Sequence, residues 1–288
     1  MQIYQLKEAT PNRIQMMSYI FRAEDGALAV MDGGNWGDGE HLLEALRAVS
    51  GCRRPHIAAW LMTHAHLDHV DAFRYLMDCH PGDFSLEKLY YCFPSQPYLD
   101  AYEPEEAHTL REMTELMGKM APDTLHRVEG GERIYVGGLR FTVLLTPDEA
   151  PRANVINNAS VVYRVEGGGV SALFPGDLGV EGGERLLSLY GQALKSDIVQ
   201  MAHHGQNGVD YPVYEAVRPA VCLWPTPPWL WDNDPGSGYN TGIWKTLCVR
   251  GWMQELGAER HAAAKDGDFR LTCEDGCVRI EKISFTGV

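Results

Sequence analysis

The chain has 288 residues, of which 45% are hydrophobic and 22% are charged, and 39 acidic against 25 basic residues give a formal net charge of −14. This composition is typical of a globular protein that buries a full core, and no repeat, linker or low-complexity tract interrupts it. The negative charge repels a polyanionic backbone, so nucleic acid is disfavoured as a partner.

The sequence shows no signal for a membrane or an export pathway. No apolar run reaches the ~18 residues of a membrane span, and the first eight residues read as a strand instead of a basic and then apolar leader. Seven cysteines without a CxxC pair indicate reduced thiols. We therefore expect a cytoplasmic protein with no membrane partner, acting on a small-molecule substrate as a monomer or a homodimer.

The first elements in chain order are strand and helix patterns in alternation. Apolar runs at 18–22 and 27–31 flank Glu24-Asp25-Gly26, which is a hairpin signal. Residues 40–49 carry apolar side chains at helical spacing. The apolar run 57–62 then predicts a buried strand.

The most informative stretch follows this strand, where residues 63–71 read Thr-His-Ala-His-Leu-Asp-His-Val-Asp. Residues two apart in an extended segment point the same way, which aims His64 and His66 at one point. Asp68 and His69 begin the next helical pattern, so the segment offers two adjacent metal positions. Imidazole and carboxylate bind zinc, manganese or iron, and a pair of such ions can generate a hydroxide nucleophile at neutral pH. The alternative, a loop of solvated polar residues, is disfavoured because four potential metal ligands, three histidines and one aspartate, fall within six positions.

The middle of the chain continues the alternation. Predicted helices cover 71–79 and 105–120, and predicted strands cover 86–92, 133–136, 139–145, 160–165 and 170–174. His108 falls in the second helical pattern, where we expect it on the helix surface.

Two further groups of ligand types follow predicted strands. Asp177 comes after the strand 170–174 through a Pro-Gly turn, and its alternative reading is an ordinary turn aspartate. His203 and His204 close the apolar run 198–202 and precede a glycine. Adjacent residues of an extended chain face opposite ways, so one imidazole can bind metal while the other faces the substrate or the interior. The sequence leaves open which histidine does which.

Residues 224–240 form a long loop with three tryptophans and four prolines. Proline stiffens a loop, and exposed aromatic faces could stack on a ring or surround a quaternary ammonium group, which makes Trp229, Trp231 and Tyr239 candidate substrate contacts. The equally weighted alternative is that the tryptophans pack the loop. A strand at 221–224, a helix at 242–256 and a hairpin of 269–273 with 277–283 complete the chain.

These blocks resemble the metallo-β-lactamase superfamily. Residues 63–69 are similar to its HxHxDH signature, and Val30-Met31-Asp32-Gly33-Gly34 is similar to its first motif. The blocks 157–162, 173–177 and 197–205 resemble a subgroup, the metallo-hydrolase domain of bacterial competence (DNA-uptake) proteins. The resemblance runs from about residue 16 to about residue 280 and is specific for fold and metal site, not for substrate.

The resemblance implies a single domain over residues 1–288 of the α/β class, a four-layer αββα sandwich of two mixed sheets flanked by helices. It implies two divalent ions, zinc in the first place and manganese or iron as alternatives. The implied ligands are His64, His66, Asp68, His69, Asp177 and one or both of His203 and His204. Asp177 would bridge the two ions, and Asp32 would orient a ligand histidine.

One departure from the family pattern concerns the first metal. Most members supply a further histidine between the signature and the bridging aspartate, and here Asn157-Asn158 stand in its approximate place. We therefore expect that ion on His64, His66 and Asp177 with water or an asparagine oxygen, and we count Asn158 among the candidate substrate contacts. A second departure is Tyr239-Asn240-Thr241, which replaces the His-Pro pair of the competence proteins.

The function that follows is metal-dependent hydrolysis of a small phosphodiester or other ester by a hydroxide that bridges the metals. Asp68, His203, His204 and Asp32 are its candidate catalytic residues. The first alternative is a competence-type nuclease acting on DNA. The second, from another class, is a metal-binding protein without hydrolytic activity, such as a sensor or a di-iron redox protein.

Overall fold

The computed structural model describes residues 1–9 and 14–285. In this part of the chain the strands are β1 (Gln2–Gln5), β2 (Ser18–Arg22), β3 (Leu28–Asp32), β4 (His56–Leu61), β5 (Ser85–Tyr91), β6 (Leu125–Arg127), β7 (Arg133–Val136), β8 (Leu139–Leu145), β9 (Val162–Gly167), β10 (Val170–Phe174), β11 (Ile198–Gln200), β12 (Val221–Trp224), β13 (Arg260–Ala263), β14 (Asp268–Glu274) and β15 (Cys277–Ile283). The helices are α1 (Gly39–Ser50), α2 (Leu67–Cys79), α3 (Gln96–Tyr102), α4 (Ala107–Met117), α5 (Val155–Asn158), α6 (Val180–Tyr190), the single turn α7 (Ala202–Gly205), α8 (Tyr211–Val217), α9 (Pro228–Trp231) and α10 (Thr246–Glu255).

The strands form two mixed sheets with similar plans. The first sheet has the order β15-β14-β1-β2-β3-β4-β5-β6, antiparallel as far as β3 and parallel from β3 to β6. The second has the order β13-β12-β11-β10-β9-β8-β7, parallel from β13 to β10 and antiparallel beyond. Strands that are neighbours in the sequence make the antiparallel pairs, except that β1 pairs with β14, and longer crossover connections make the parallel parts.

The sheets pack face to face, and helices cover both outer faces. Between the sheets, Phe21 lies edge-on to Phe141 and Phe174 at ring distances of 5.2 and 5.3 Å. Helices α1, α2 and α4 cover the first sheet, where Trp60 packs against Phe73 at 4.7 Å. Helices α6, α8 and α10 cover the second sheet. The predicted four-layer αββα sandwich is therefore confirmed.

Helix α2 begins at Leu67, before the predicted start at residue 71. His66 has extended backbone and forms the N-cap, which places Asp68 in the first turn. A carboxylate is favoured there because the helix dipole is positive at its N-terminus. The metal motif therefore crosses a strand end, a short loop and a helix start.

Across residues 1–9 and 14–285, no helix is both long enough and apolar enough to cross a bilayer.

Candidate metal centre

The candidate ligands all follow the carboxyl ends of strands, two in each sheet. Asp32 ends β3, the HxHxDH segment follows β4, Asp177 follows β10, and the two adjacent histidines follow β11. The two sheets are joined at this edge by backbone hydrogen bonds, since Val161 N donates to Thr63 O at 2.8 Å. Residues far apart in sequence therefore meet in one place.

Four side chains, which we call the four-ligand cluster, come together at the centre of this edge: Asp68, His69, Asp177 and His204. All four are buried, and one ligand atom of each lies within 4.8 Å of the others. His204 Nε2 is 3.1 Å from Asp68 Oδ2 and 3.1 Å from Asp177 Oδ2. His69 Nε2 is 3.3 Å from Asp177 Oδ2. Two carboxylates and two imidazoles are a suitable donor set for a divalent transition metal.

Each residue of the four-ligand cluster has one buried side-chain atom that lacks a hydrogen-bond partner. They are Asp68 Oδ2, His69 Nε2, Asp177 Oδ1 and His204 Nε2, all buried. The contacts are short but are not aligned as hydrogen bonds. Leaving one buried polar atom without a partner costs about 1–3 kcal/mol of stability. The cluster contains four such atoms close together. A cation between them would satisfy all four, so the residues present fit a metal ion.

The electrostatics of the cluster agree with this fit. Burial raises the pKa of the Asp177 carboxyl, but the imidazoles of His204 and His69 more than offset it and hold that pKa well below its usual range. Burial lowers the pKa of His204, but Asp177 and Asp68 outweigh it and raise that pKa to about 9. Protons on the imidazoles thus balance the carboxylates, and a metal ion would take the place of those protons.

His64 and His66 form a second group beside the cluster, which we call the two-histidine pair. His64 Nε2 lies 3.0 Å from His66 Nδ1, so the two nitrogens point at one place. Burial lowers the pKa of both imidazoles and keeps them neutral, as a metal ligand requires. His64 Nδ1 is 3.1 Å from Thr63 Oγ1 and 3.4 Å from Ser160 Oγ, which orient the ring.

Asp32 holds the ligand segment in place. Its Oδ2 lies 2.7 Å from His69 Nδ1, and its carboxylate accepts hydrogen bonds from Thr63 N at 2.8 Å and Thr63 Oγ1 at 2.7 Å. Its backbone oxygen accepts a hydrogen bond from Trp60 Nε1 at 2.9 Å. Asp32 is fully buried with a φ of +56°, a strained conformation that these contacts maintain. It therefore sets the direction of His69 without facing the cluster.

The structure separates the roles of the adjacent histidines. His203 and His204 have φ values of +51° and +55°, so the two histidines do not have the extended backbone expected from the sequence. His204 Nδ1 donates to Pro225 O at 2.9 Å, which turns its Nε2 into the four-ligand cluster. His203 lies nearer the surface, with Nε2 3.9 Å from Asp177 Oδ2 and Nδ1 donating to Asn207 O at 3.3 Å.

Gln200 is a site residue that sequence reasoning missed. Its buried amide accepts a hydrogen bond from Gly176 N at 2.9 Å and donates to Gly176 O at 3.1 Å and Met201 O at 2.7 Å. These bonds tie the turn that carries Asp177 to the segment that carries His204. The available signal was a single amide within the otherwise apolar run 198–202.

The two neighbouring asparagines face different ways. The Asn158 side chain accepts from Gly182 N at 2.9 Å and donates to Glu181 Oε2 at 2.9 Å, so it holds the start of α6 and does not face the ligands. Asn157 is 4% exposed, and its Nδ2 lies 3.4 Å from His203 Nε2. The structure therefore brings Asn157 to the centre, whereas Asn158, which the sequence suggested as a substrate contact, holds the start of α6.

The loop at residues 224–240, which we call the aromatic loop, packs its tryptophans against other side chains of the protein. Trp231 lies edge-on to the buried Trp224 at 5.2 Å, and the guanidinium of Arg250 lies 4.2 Å from the Trp231 ring centre. Trp229 packs edge-on to Trp244 at 4.9 Å. The packing alternative thus describes Trp229 and Trp231, whose rings pack edge-on against other tryptophans of the protein. Tyr239 is 66% exposed.

Comparisons with known proteins agree with this arrangement. The profile of the Metallo-beta-lactamase superfamily matches residues 13–219. ComE operon protein 3 of Bacillus subtilis (strain 168) is 27% identical over 170 residues, which cover 59% of this chain and 20% of that protein. Competence protein ComA of Neisseria gonorrhoeae is 40% identical over 81 residues, which cover 27% of this chain and 11% of that protein. The chain thus matches only a small part of the length of either competence protein.

Among solved structures, the metallo-beta-lactamase fold protein YhfI from Bacillus subtilis is similar with a TM-score of 0.54 and 12% sequence identity. The alignment covers 94% of this chain and 99% of that chain. At this identity the similarity supports the fold and not the activity.

Proposed function

The chain belongs to the metallo-β-lactamase superfamily, and from this we propose that it is a metal-dependent hydrolase that cleaves a small phosphodiester or a related ester. The observation that carries the proposal is the four-ligand cluster, whose buried donor atoms lack partners, beside the two-histidine pair. The first metal position is the two-histidine pair, and the second is the four-ligand cluster. Zinc is the first candidate for both, and manganese or iron are alternatives.

When bound, two divalent ions supply a hydroxide nucleophile at neutral pH and polarise the bond under attack. The carboxylates of Asp68 and Asp177 together with the hydroxide balance three of their four positive charges, which leaves a net charge of about +1 at the centre. Such a centre attracts a substrate that carries negative charge on the reacting group, and a phosphodiester carries it. This electrostatic match favours a phosphodiester over a neutral ester.

His203 is placed to handle a proton at the edge of the centre. Its Nδ1 proton is held by Asn207 O, so Nε2, which lies 3.4 Å from Asn157 Nδ2, is the ring nitrogen that can accept a proton. Burial lowers the pKa of His203, while the charge of Asp177 acts in the opposite direction. Nε2 would accept a proton from the attacking water and then release it to the leaving oxygen, on which negative charge develops. Asp32 would act through the groups that it holds, the His69 ring and Thr63.

The experiment is hydrolysis of bis(para-nitrophenyl) phosphate by the metal-loaded protein and by the variants His66→Ala and Asp68→Ala. The proposal expects both variants to lose hydrolysis, because each removes a ligand of a different ion. His108→Ala is the matched control, since His108 is exposed on α4 and its Nδ1 donates to Glu105 O. Undiminished turnover in the first two variants would sink the proposal.

A nuclease acting on DNA is the second candidate, supported by the similarity to competence proteins. The net charge of −14 opposes it, because a DNA backbone would be repelled. Metal-dependent digestion of single-stranded DNA that disappears at raised salt would favour the nuclease. Bound iron with a visible absorption band, and no hydrolysis of either substrate, would favour a non-hydrolytic protein instead.

A further inference from the structure

The two-histidine pair is short of ligands. His64 and His66 supply two nitrogens, and Asp177 can reach the same ion only by sharing its carboxylate with the four-ligand cluster. We propose that the side-chain oxygen of Asn157 is the further ligand of the ion at this pair. The inference rests on the proposed function, because it assumes that the pair binds a metal ion.

The hydrogen bonding of the Asn157 amide supports this role as a metal ligand. Asn157 is buried, and its Oδ1 has no hydrogen-bond partner. Its Nδ2 donates to Asn154 Oδ1 at 2.7 Å, so the nitrogen end of the amide has a partner and the oxygen end has none. A buried amide oxygen without a partner is uncommon and costly in folded proteins. The neighbouring Asn158 shows the ordinary case, since its Oδ1 accepts from Gly182 N at 2.9 Å.

The position of Asn157 among the candidate ligands also supports this role. Its Nδ2 lies 3.4 Å from His203 Nε2, and that nitrogen lies 3.9 Å from Asp177 Oδ2. Its backbone oxygen accepts from Ser160 N at 3.0 Å. The hydroxyl of the same Ser160 is 3.4 Å from His64 Nδ1 and accepts from Asp177 N at 3.1 Å. Asn157 is therefore tied to both a ligand of the pair and the shared aspartate.

An amide oxygen changes which ions the pair prefers. It is a harder and more weakly bound donor than an imidazole nitrogen, so it suits manganese better than an imidazole would. The ion at this pair should therefore be the more weakly held of the two, and its zinc preference should be reduced.

The competing role for Asn157 is to orient His203 through Nδ2 without touching metal. The variant Asn157→Asp separates the two roles, because a carboxylate keeps an oxygen in the same place but removes the N–H donors. Asn157→Ala removes both the side-chain oxygen and the N–H donors. Asn157→His supplies an imidazole instead of the amide oxygen.

The test is competition between a fluorescent chelator and the full-length, metal-stripped protein for Zn²⁺ and, separately, for Mn²⁺, with metal content measured after gel filtration. We expect two ions per wild-type chain with unequal affinities, and an affinity for the weaker ion at least about tenfold lower in Asn157→Ala. Asn157→Asp should keep or strengthen that affinity, and Asn157→His should favour Zn²⁺ over Mn²⁺ relative to wild type.

Equal affinity of Asn157→Ala and wild type for the weaker ion would overturn the inference, and so would a loss in Asn157→Asp as large as in Asn157→Ala. Both results leave the proposed hydrolase intact if the wild type still binds two ions. A wild-type chain that binds fewer than two ions would instead overturn the two-metal function itself. Circular dichroism of each metal-stripped variant checks that the fold is kept.

Discussion

The four-ligand cluster and the two-histidine pair lie side by side, but the chain supports them unequally. The cluster has two carboxylates and two imidazoles, with His69 held by Asp32 and His204 held by Pro225 O. The pair has two imidazoles, of which His64 is oriented by two hydroxyl groups, and the proposed oxygen of Asn157. The difference indicates one ion that is bound firmly and one that is exchanged more easily, with Asp177 as the residue common to both.

Replacing Asp177 should remove the difference altogether, and this is the largest effect we expect. Asp177→Ala leaves His69 and His204 without their shared carboxylate, so both ions should be lost and turnover of bis(para-nitrophenyl) phosphate should fall by about 10³-fold or more. Asp78→Ala, at an exposed position of α2, is the matched control. Retention of both ions by Asp177→Ala would contradict the bridging role.

Replacing Asp32 should weaken the cluster more than the pair, because Asp32 holds His69 directly and reaches His64 only through Thr63. Without the carboxylate His69 loses its orienting partner, and metal affinity at the cluster should fall by about 10–100-fold. Asn tolerates the positive φ of Asp32 better than Ala, so Asp32→Asn separates loss of charge from backbone strain. The measurement is chelator competition for the tighter ion. An equal loss at both positions would mean that Asp32 supports the whole edge and not His69 alone.

Replacing Gln200 should lower affinity at the cluster by about tenfold, because the turn carrying Asp177 is no longer tied to the segment carrying His204. Gln200→Ala also leaves Gly176 N without its acceptor, and the free energy of unfolding should fall by about 1–3 kcal/mol. Urea unfolding and chelator competition measure the two effects. Excess metal should restore turnover, and a defect that metal cannot restore would assign Gln200 to folding alone.

The aromatic loop should show the smallest effect on catalysis. Trp231→Ala removes the packing against Trp224 and should lower the free energy of unfolding by about 3 kcal/mol with unchanged metal content. Tyr239→Ala, at an exposed residue, should change KM by no more than about threefold and leave stability unchanged. A large rise in KM for Tyr239→Ala would show that the loop contacts the substrate.

Much of the fold and the core of the site could be predicted because their causes are local. Period-two spacing after a strand predicted that the side chains of His64 and His66 converge. In the structure His64 Nε2 lies 3.0 Å from His66 Nδ1. The roles of His203 and His204 could not be decided in the same way. Their positive φ values depend on contacts with Pro225 O and Asn207 O, which the local pattern does not contain.

Other features could not be predicted because distant residues determine them. Helix α6 was missed because Gly182-Gly183 lowers helix propensity, and the reason for Gly183 is the close packing of Val209, whose Cγ1 would lie 2.9 Å from an added Cβ. Asn157 and Asn158 are equivalent by type and differ only because α6 engages the second. Tertiary contacts therefore explain both errors.

The most direct measurement is turnover of bis(para-nitrophenyl) phosphate by the metal-stripped protein as metal is added back in measured equivalents. The account predicts no turnover in the stripped protein, little with one equivalent bound at the four-ligand cluster, and full turnover when the second ion fills the two-histidine pair. Turnover that persists without metal, or that is absent with two ions bound, would contradict it.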